Sequence, residues 1–186
     1  MDKRGIISTF SLLIAPKRCW KSLISSTAGK EAILTRTLFP LAGIAALVTI
    51  ILNLHFTAMR SDSGLENAIR MAAVTFIQFF ASYYITAYIA VKIFGKHVKN
   101  SLCEIYVSYL TSVTIIFYIA ESVFPDYTTY IAALSLYVVY IAWIGGRYYL
   151  NIDDNSVNNR FVASISIMVL ILPAIIAIIL RIILPK

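Results

Sequence analysis

The sequence predicts an all-α integral membrane protein, with five transmembrane helices preceded by one or two short amphipathic interfacial helices. Three observations carry that reading. Of 186 residues, 60% are hydrophobic and 13% charged, with a mean hydropathy of +0.82, against roughly 45–50% apolar residues in soluble domains. A soluble core of this length cannot hide so much apolar surface. Five segments each offer the roughly 20 apolar residues that a helix needs to cross about 30 Å of hydrocarbon. Runs of about ten residues with alternating polarity, the mark of a transmembrane barrel, are absent.

Residues 1–36 are read as a cytoplasmic amphipathic segment, and 37–186 as the five-span bundle. In the leading segment Ile6, Ile7, Phe10, Leu13 and Ile14 recur at three-and-four spacing, and Pro16 suits the first turn of a second short helix. Around that second helix Cys19, Trp20, Leu23, Ile24 and Thr27 fall on one side. Lys17, Arg18, Lys21, Ser22 and Ser25 fall on the other. Lys17, Arg18, Trp20 and Lys21 are therefore candidate lipid-interface residues, the indole at headgroup level and the cations on anionic lipid. The same amphipathicity fits a helix that caps the bundle. A signal peptide is disfavoured, because Pro16, Lys17, Arg18 and Lys21 stand where a small-residue cleavage site belongs. The apolar run Ile6–Ala15 is also too short to span.

The spans are expected at Thr37–Met59, Asn67–Phe94, Ser101–Phe124, Thr128–Leu150 and Arg160–Leu184, separated by "RSDSGLEN", "GKHVKN", "PDY" and "NIDDNSVNN". Polar side chains inside them avoid lipid, since an unsatisfied polar atom in hydrocarbon costs several kcal/mol or so. Gln78, Ser82 and Thr86 form a four-residue repeat that continues to Ala90. Ser112 lies between Thr111 and Thr114 in the third span, and Tyr137 and Tyr140 lie in the fourth. These intrabundle polar candidates make either interhelical hydrogen bonds or a pocket for a headgroup, ion or small solute. Glu121, about one turn inside the end of the third span, is expected to pair with Arg70 at the start of the second, with Arg181 as the other candidate. Tyr106, Tyr109, Trp143, Tyr148 and Tyr149 suit an inner aromatic belt, and Tyr118, Tyr127 and Tyr130 an outer one. Gly145–Gly146 would let the fourth helix end or approach a neighbour closely.

The Pro16–Trp20 step ahead of five spans, the "FGKHVKNSLCEIYVSYLTSV" turn and the "YVVYIAWIGGRYYLNI" span together resemble the Yip family, the Ypt/Rab-interacting five-span membrane proteins, and especially its compact bacterial branch. The likeness covers nearly the whole chain. It implies a bacterial inner-membrane location, or early secretory membranes if the eukaryotic branch is the guide. There, relatives associate with Rab-type GTPases in vesicle traffic. The Asp-Leu-Tyr-Gly-Pro-like motif of those relatives does not occur in this sequence.

No motif for catalysis stands out. His-Glu-x-x-His, Gly-x-Ser-x-Gly, Cys-x-x-Cys and a glycine-rich phosphate loop are all missing. His55 and His97 are isolated, and Asp153–Asp154 reads as a solvated turn rather than a metal site. Cys19 and Cys103 are expected as free thiols. The expectation is a non-enzyme without metal, cofactor or nucleic-acid partner. It would be a membrane organiser or adaptor whose basic cytoplasmic face meets anionic headgroups or a protein. The alternative is a small transporter or lipid-handling protein with a polar interior pocket, against which stands the lack of a charged group at mid-span.

Orientation follows from the cations. With the N-terminus inside, 12 of the 16 Lys and Arg flank cytoplasmic loops and four lie outside, which puts the C-terminus outside. In a cysteine-free background, impermeant thiol reagents added outside should label a cysteine at Ser63 and spare one at Asn100 or Asn155. The opposite pattern would overturn this topology.

Overall fold

The computed structural model describes residues 4–24, 30–57, 64–94, 98–152 and 155–184. Two short helices, α1 (Arg4–Ile14) and α2 (Pro16–Ile24), lead into the bundle. A short α3 (Lys30–Ile33), a π-helical turn (Leu34–Leu38) and α4 (Phe39–Thr57) make the first long element. There follow α5 (Gly64–Phe94) and α6 (Asn100–Val123). A 3₁₀ turn (Pro125–Tyr127), α7 (Thr128–Ser135) and α8 (Tyr137–Tyr148) form the fourth, and α9 (Asn155–Ile183) the fifth. Five of these stretches are long and apolar enough to cross a membrane. Below, the end of the bundle that carries α1 and α2 is called basal and the other distal.

Two spans depart from simple helices. The first begins earlier than Thr37, and its π turn has a local cause. Pro40 has no N–H to give Arg36, and its ring crowds that carbonyl, so the ladder slips and Phe39 N–H bonds to Leu34 O instead. The fourth is broken at Leu136. Leu136 N bonds to Ala133 O (3.2 Å) and Val139 N to Leu136 O (3.0 Å), while the Ser135 hydroxyl takes Ala132 O (2.7 Å). The α-helical ladder is interrupted there for one turn, although Leu136 keeps right-handed helical dihedrals. Pro173 lies inside α9 without ending it.

The central element is α6, buried without interruption from Ile105 to Ile115. It touches α1, α4, α5, α7, α8 and α9, whereas α5 lies chiefly between α4 and α9. Outward faces are as greasy as the core. Ile44, Leu47 and Ile51 on α4 and Ile171, Ile175, Ile178 and Ile182 on α9 are exposed, as expected of surfaces solvated by lipid tails.

The basal end is sealed by Trp20, and here the interfacial reading of this residue is corrected. The indole is 0% exposed, stacked on Tyr106, against Tyr149 and edge-on to Tyr109. Its Nε1 donates to Ile141 O (3.1 Å), and Tyr106 Oη donates to the next carbonyl, Ala142 O (2.7 Å). Both carbonyls already face the helical N–H groups four residues on, at Gly145 and Gly146, so each uses its second lone pair. Side chains at those two positions would screen the carbonyls; glycine leaves them open. A Cβ on Gly145 would lie 2.6 Å from Tyr106 Cε2 and 2.7 Å from Trp20 Cε2, and one on Gly146 would strike Asn158 Oδ1. Tyr106, Tyr109 and Tyr149 are accordingly core residues rather than members of an interfacial belt.

Trp20→Ala should cost about 3–5 kcal/mol of stability, as for other buried aromatic truncations. Trp20→Phe should cost about 1 kcal/mol, losing one hydrogen bond and keeping most of the stacking. Gly145→Ala should also destabilise, because two rigid rings must move. Reversible unfolding in mixed micelles measures all three. An unaffected Trp20→Ala would show that the cap does not hold the bundle.

Candidate functional site

Three regions carry the polar chemistry of the chain. At the basal end, α2 inserts Trp20 and turns the opposite side outward, so Lys17, Arg18 and Lys21 are exposed. Lys17 and Lys21 reach over the Tyr148 ring, their Nζ atoms 4.9 and 5.1 Å from its centre, which fixes two cations on one surface. Arg147 lies over Trp143 in the same way (5.3 Å), and Trp143 Nε1 donates to Asn159 Oδ1 (3.3 Å). The neighbouring helix α1 exposes Ile7, Phe10 and Ile14 while burying Thr9 and Leu12. Cys19 ties the two helices through Sγ to Ser8 O (3.4 Å). Burial pushes its thiol up to about 11, so it is held protonated and unreactive near neutral pH.

The second region is a seam of hydroxyls in the basal half of the bundle. Gln78, Ser82, Thr86 and Ala90 are all buried along α5. The Thr75–Tyr118 bond (3.1 Å) sets the register of α5 against α6, and the Thr49–Thr75 bond (3.2 Å) that of α4 against α5. Counting at about 1.5 Å per residue from those contacts, Thr37 and Thr86 share a level with Ser108, and Ser82 with Thr111 one turn further in. All five are 0–1% exposed, and none of their hydroxyls has a hydrogen-bond partner among the described residues. Their neighbours behave differently: Ser112 and Thr114 bond back to Ser108 O and Leu110 O (2.8 and 3.1 Å). Ser112 is thus spent within its own helix. Tyr137 is half-buried beside the exposed Tyr140 and does not extend the α5 ridge, because α8 packs on α2, α6 and α9. Asn158 was given no role by its sequence context, yet it is fully buried against Gly146 with both amide atoms unpartnered among the described residues.

The third region is a distal cleft of about 340 Å³ between α5, α6, α7 and α9. Gln78, Thr114, Glu121, Ser135, Pro173 and Arg181 contribute to its walls. The expected Arg70–Glu121 ion pair does not form. Arg70 instead gives one guanidinium nitrogen to Leu184 O and the other to Asn67 Oδ1, each at 2.7 Å. The last carbonyls of α9 are unsatisfied within their own helix, and a cation there also complements the helix dipole. That pull on Arg70 leaves Glu121 facing the cleft.

Asp153, Asp154 and His97 lie outside the described residues. Among the described residues no group of three His, Cys, Asp or Glu side chains could hold a metal. The architecture defines a multi-pass α-helical membrane protein with short helices ahead of its five spans. Comparisons with family models, with curated proteins and with solved structures find no match to the chain.

A buried hydroxyl without a partner costs about 1–3 kcal/mol, and an apolar isostere removes that cost. Thr86→Val and Thr111→Val should therefore leave unfolding free energy unchanged or raise it by up to about 1 kcal/mol each. Thr75→Val, which breaks the bonds to Thr49 and Tyr118, should lower it. A clear loss in the first two variants would mean that the seam hydroxyls are satisfied.

Proposed function

We propose that the protein is a non-enzymatic membrane organiser or adaptor of the Yip type, working from its basal, cytoplasmic face. The observation that carries this is the arrangement of α1 and α2: Trp20 locks α2 onto the bundle while α2 exposes Lys17, Arg18 and Lys21 and α1, packed against it, exposes Ile7, Phe10 and Ile14. A fixed row of cations next to an apolar stripe suits the headgroup boundary of an anionic leaflet, the stripe entering the acyl region and the cations meeting phosphates. The formal net charge of +7 points the same way. With α2 immobilised, the basic row is a rigid surface rather than a floating tail. That is what recruitment of a cytosolic or membrane partner requires.

Each cation near an anionic surface is worth about 1 kcal/mol, reduced by salt. The full-length protein in mixed micelles should therefore be stabilised by phosphatidylglycerol over phosphatidylcholine, and the gain should shrink as salt is raised. The triple variant Lys17→Gln, Arg18→Gln, Lys21→Gln should lose most of it. Stabilisation by phosphatidylglycerol that survives both high salt and the triple substitution would overturn the role given to this face.

A further inference from the structure

The distal cleft holds two charges of opposite sign that do not meet each other. Glu121, near the end of α6, is half-buried and Arg181, near the end of α9, is exposed. Neither carboxylate nor guanidinium has a hydrogen-bond or ion-pair partner among the described residues. Both sit within about one turn of their helix ends, at the level of the polar headgroups if the five spans cross a bilayer. Deeper in the same cleft is Gln78, 4% exposed, whose side-chain amide also has no partner among the described residues. From the register of α5 on α6, which sets Thr75 level with Tyr118, Gln78 lies about 9 Å further into the membrane than Glu121.

The fold explains where the cleft opens. After the break at Leu136, α8 packs on α9, but α7 packs substantially only on α6 and the 3₁₀ turn. The distal half of the fourth span therefore stands away from α9. The gap is walled by Ala174, Ala177 and Ile178 on the α9 side, with Ala174 and Ile178 exposed. It faces sideways into the distal leaflet as well as toward the distal surface.

We propose that this cleft binds a zwitterionic phospholipid with a primary ammonium headgroup, of the phosphatidylethanolamine type, from the distal leaflet. An isolated anion would satisfy Arg181 and leave Glu121 uncompensated; an isolated cation would do the reverse. A headgroup carrying both charges meets both needs at once, its phosphate on the Arg181 guanidinium and its ammonium donating to the Glu121 carboxylate. Gln78 then stands at the depth of the ester carbonyls, where its NH₂ is a donor in a region without bulk water. The acyl chains leave through the lateral gap along Ala174 and Ile178. A quaternary ammonium brings charge but no donor to Glu121, and a glycerol hydroxyl brings a donor but no charge, so choline and glycerol headgroups fit less well.

The test uses a photoactivatable phosphatidylethanolamine in nanodiscs that contain the full-length protein, with cross-links mapped by peptide. Labelling is expected on the distal half of α9. Unlabelled phosphatidylethanolamine should suppress it, and phosphatidylcholine and phosphatidylglycerol should compete more weakly. Glu121→Gln and Arg181→Gln should each reduce labelling there by about ten-fold, the loss of one charge-assisted bond, without changing the background on α4. Glu121→Asp should retain most of it, and that unchanged background guards against a folding defect. Equal competition by all three lipids, or labelling indifferent to both substitutions, would overturn the proposal. Competition by soluble glycerophosphoethanolamine as strong as by the intact lipid would overturn it too, by assigning the cleft to a water-borne zwitterion.

Discussion

The bundle depends on two carbonyls of α8 that accept more than the helix requires of them. Ile141 O and Ala142 O each have a free lone pair, and the glycines four residues on leave those lone pairs uncovered. Trp20 and Tyr106 take them, and in doing so join the leading helices, the central span and the fourth span at one point. In water such bonds compete with solvent and are worth little; in an apolar bundle the alternative is an indole N–H and a phenol with nowhere to donate. The same geometry then sets the neighbouring elements. Asn158 is pressed against Gly146 as α9 begins, and the chain between them turns at Asn151, whose φ of 54° lies in the left-handed region that asparagine tolerates.

From that fixed basal end the structure loosens toward the distal one. Around α6 the basal layer has α1, the π turn, α4, α5, α8 and α9 as neighbours, and its polar side chains are shut away. At the distal end, α7 leaves the α9 side of the bundle uncovered, and there the charges lie. Side chains that cannot be satisfied by their own helix sort accordingly. Hydroxyls are small enough to be tolerated in the closed half, whereas Glu121 and Arg181 occupy the open one, where headgroups or water can reach them. The two faces thus invite different functional readings: a rigid basic surface at the basal end, and a lateral cleft for a zwitterion at the distal end. They share no residue, so either can stand without the other.

Each span was legible in the sequence because a bilayer's thickness is a one-dimensional requirement: about 20 apolar residues between polar punctuation, wherever the helix sits. The α-helical class, the five spans and the helix start at Pro16 follow from that and from local capping chemistry. So did the polar ridge at Gln78, Ser82 and Thr86, as a periodicity. What the tertiary structure decided is who faces whom. Amphipathicity does not distinguish lipid from protein on an apolar face, so Trp20 reads equally as an anchor or a plug until Gly145, 125 positions away, is placed beneath it. Nor does charge complementarity choose Arg70's partner, because a helix-end carbonyl such as Leu184 O competes for it and leaves no trace in residue identity. The interruption at Leu136 carries neither proline nor glycine, and with it the cleft was invisible; these depend on contacts between distant segments, and only the packed bundle contains them.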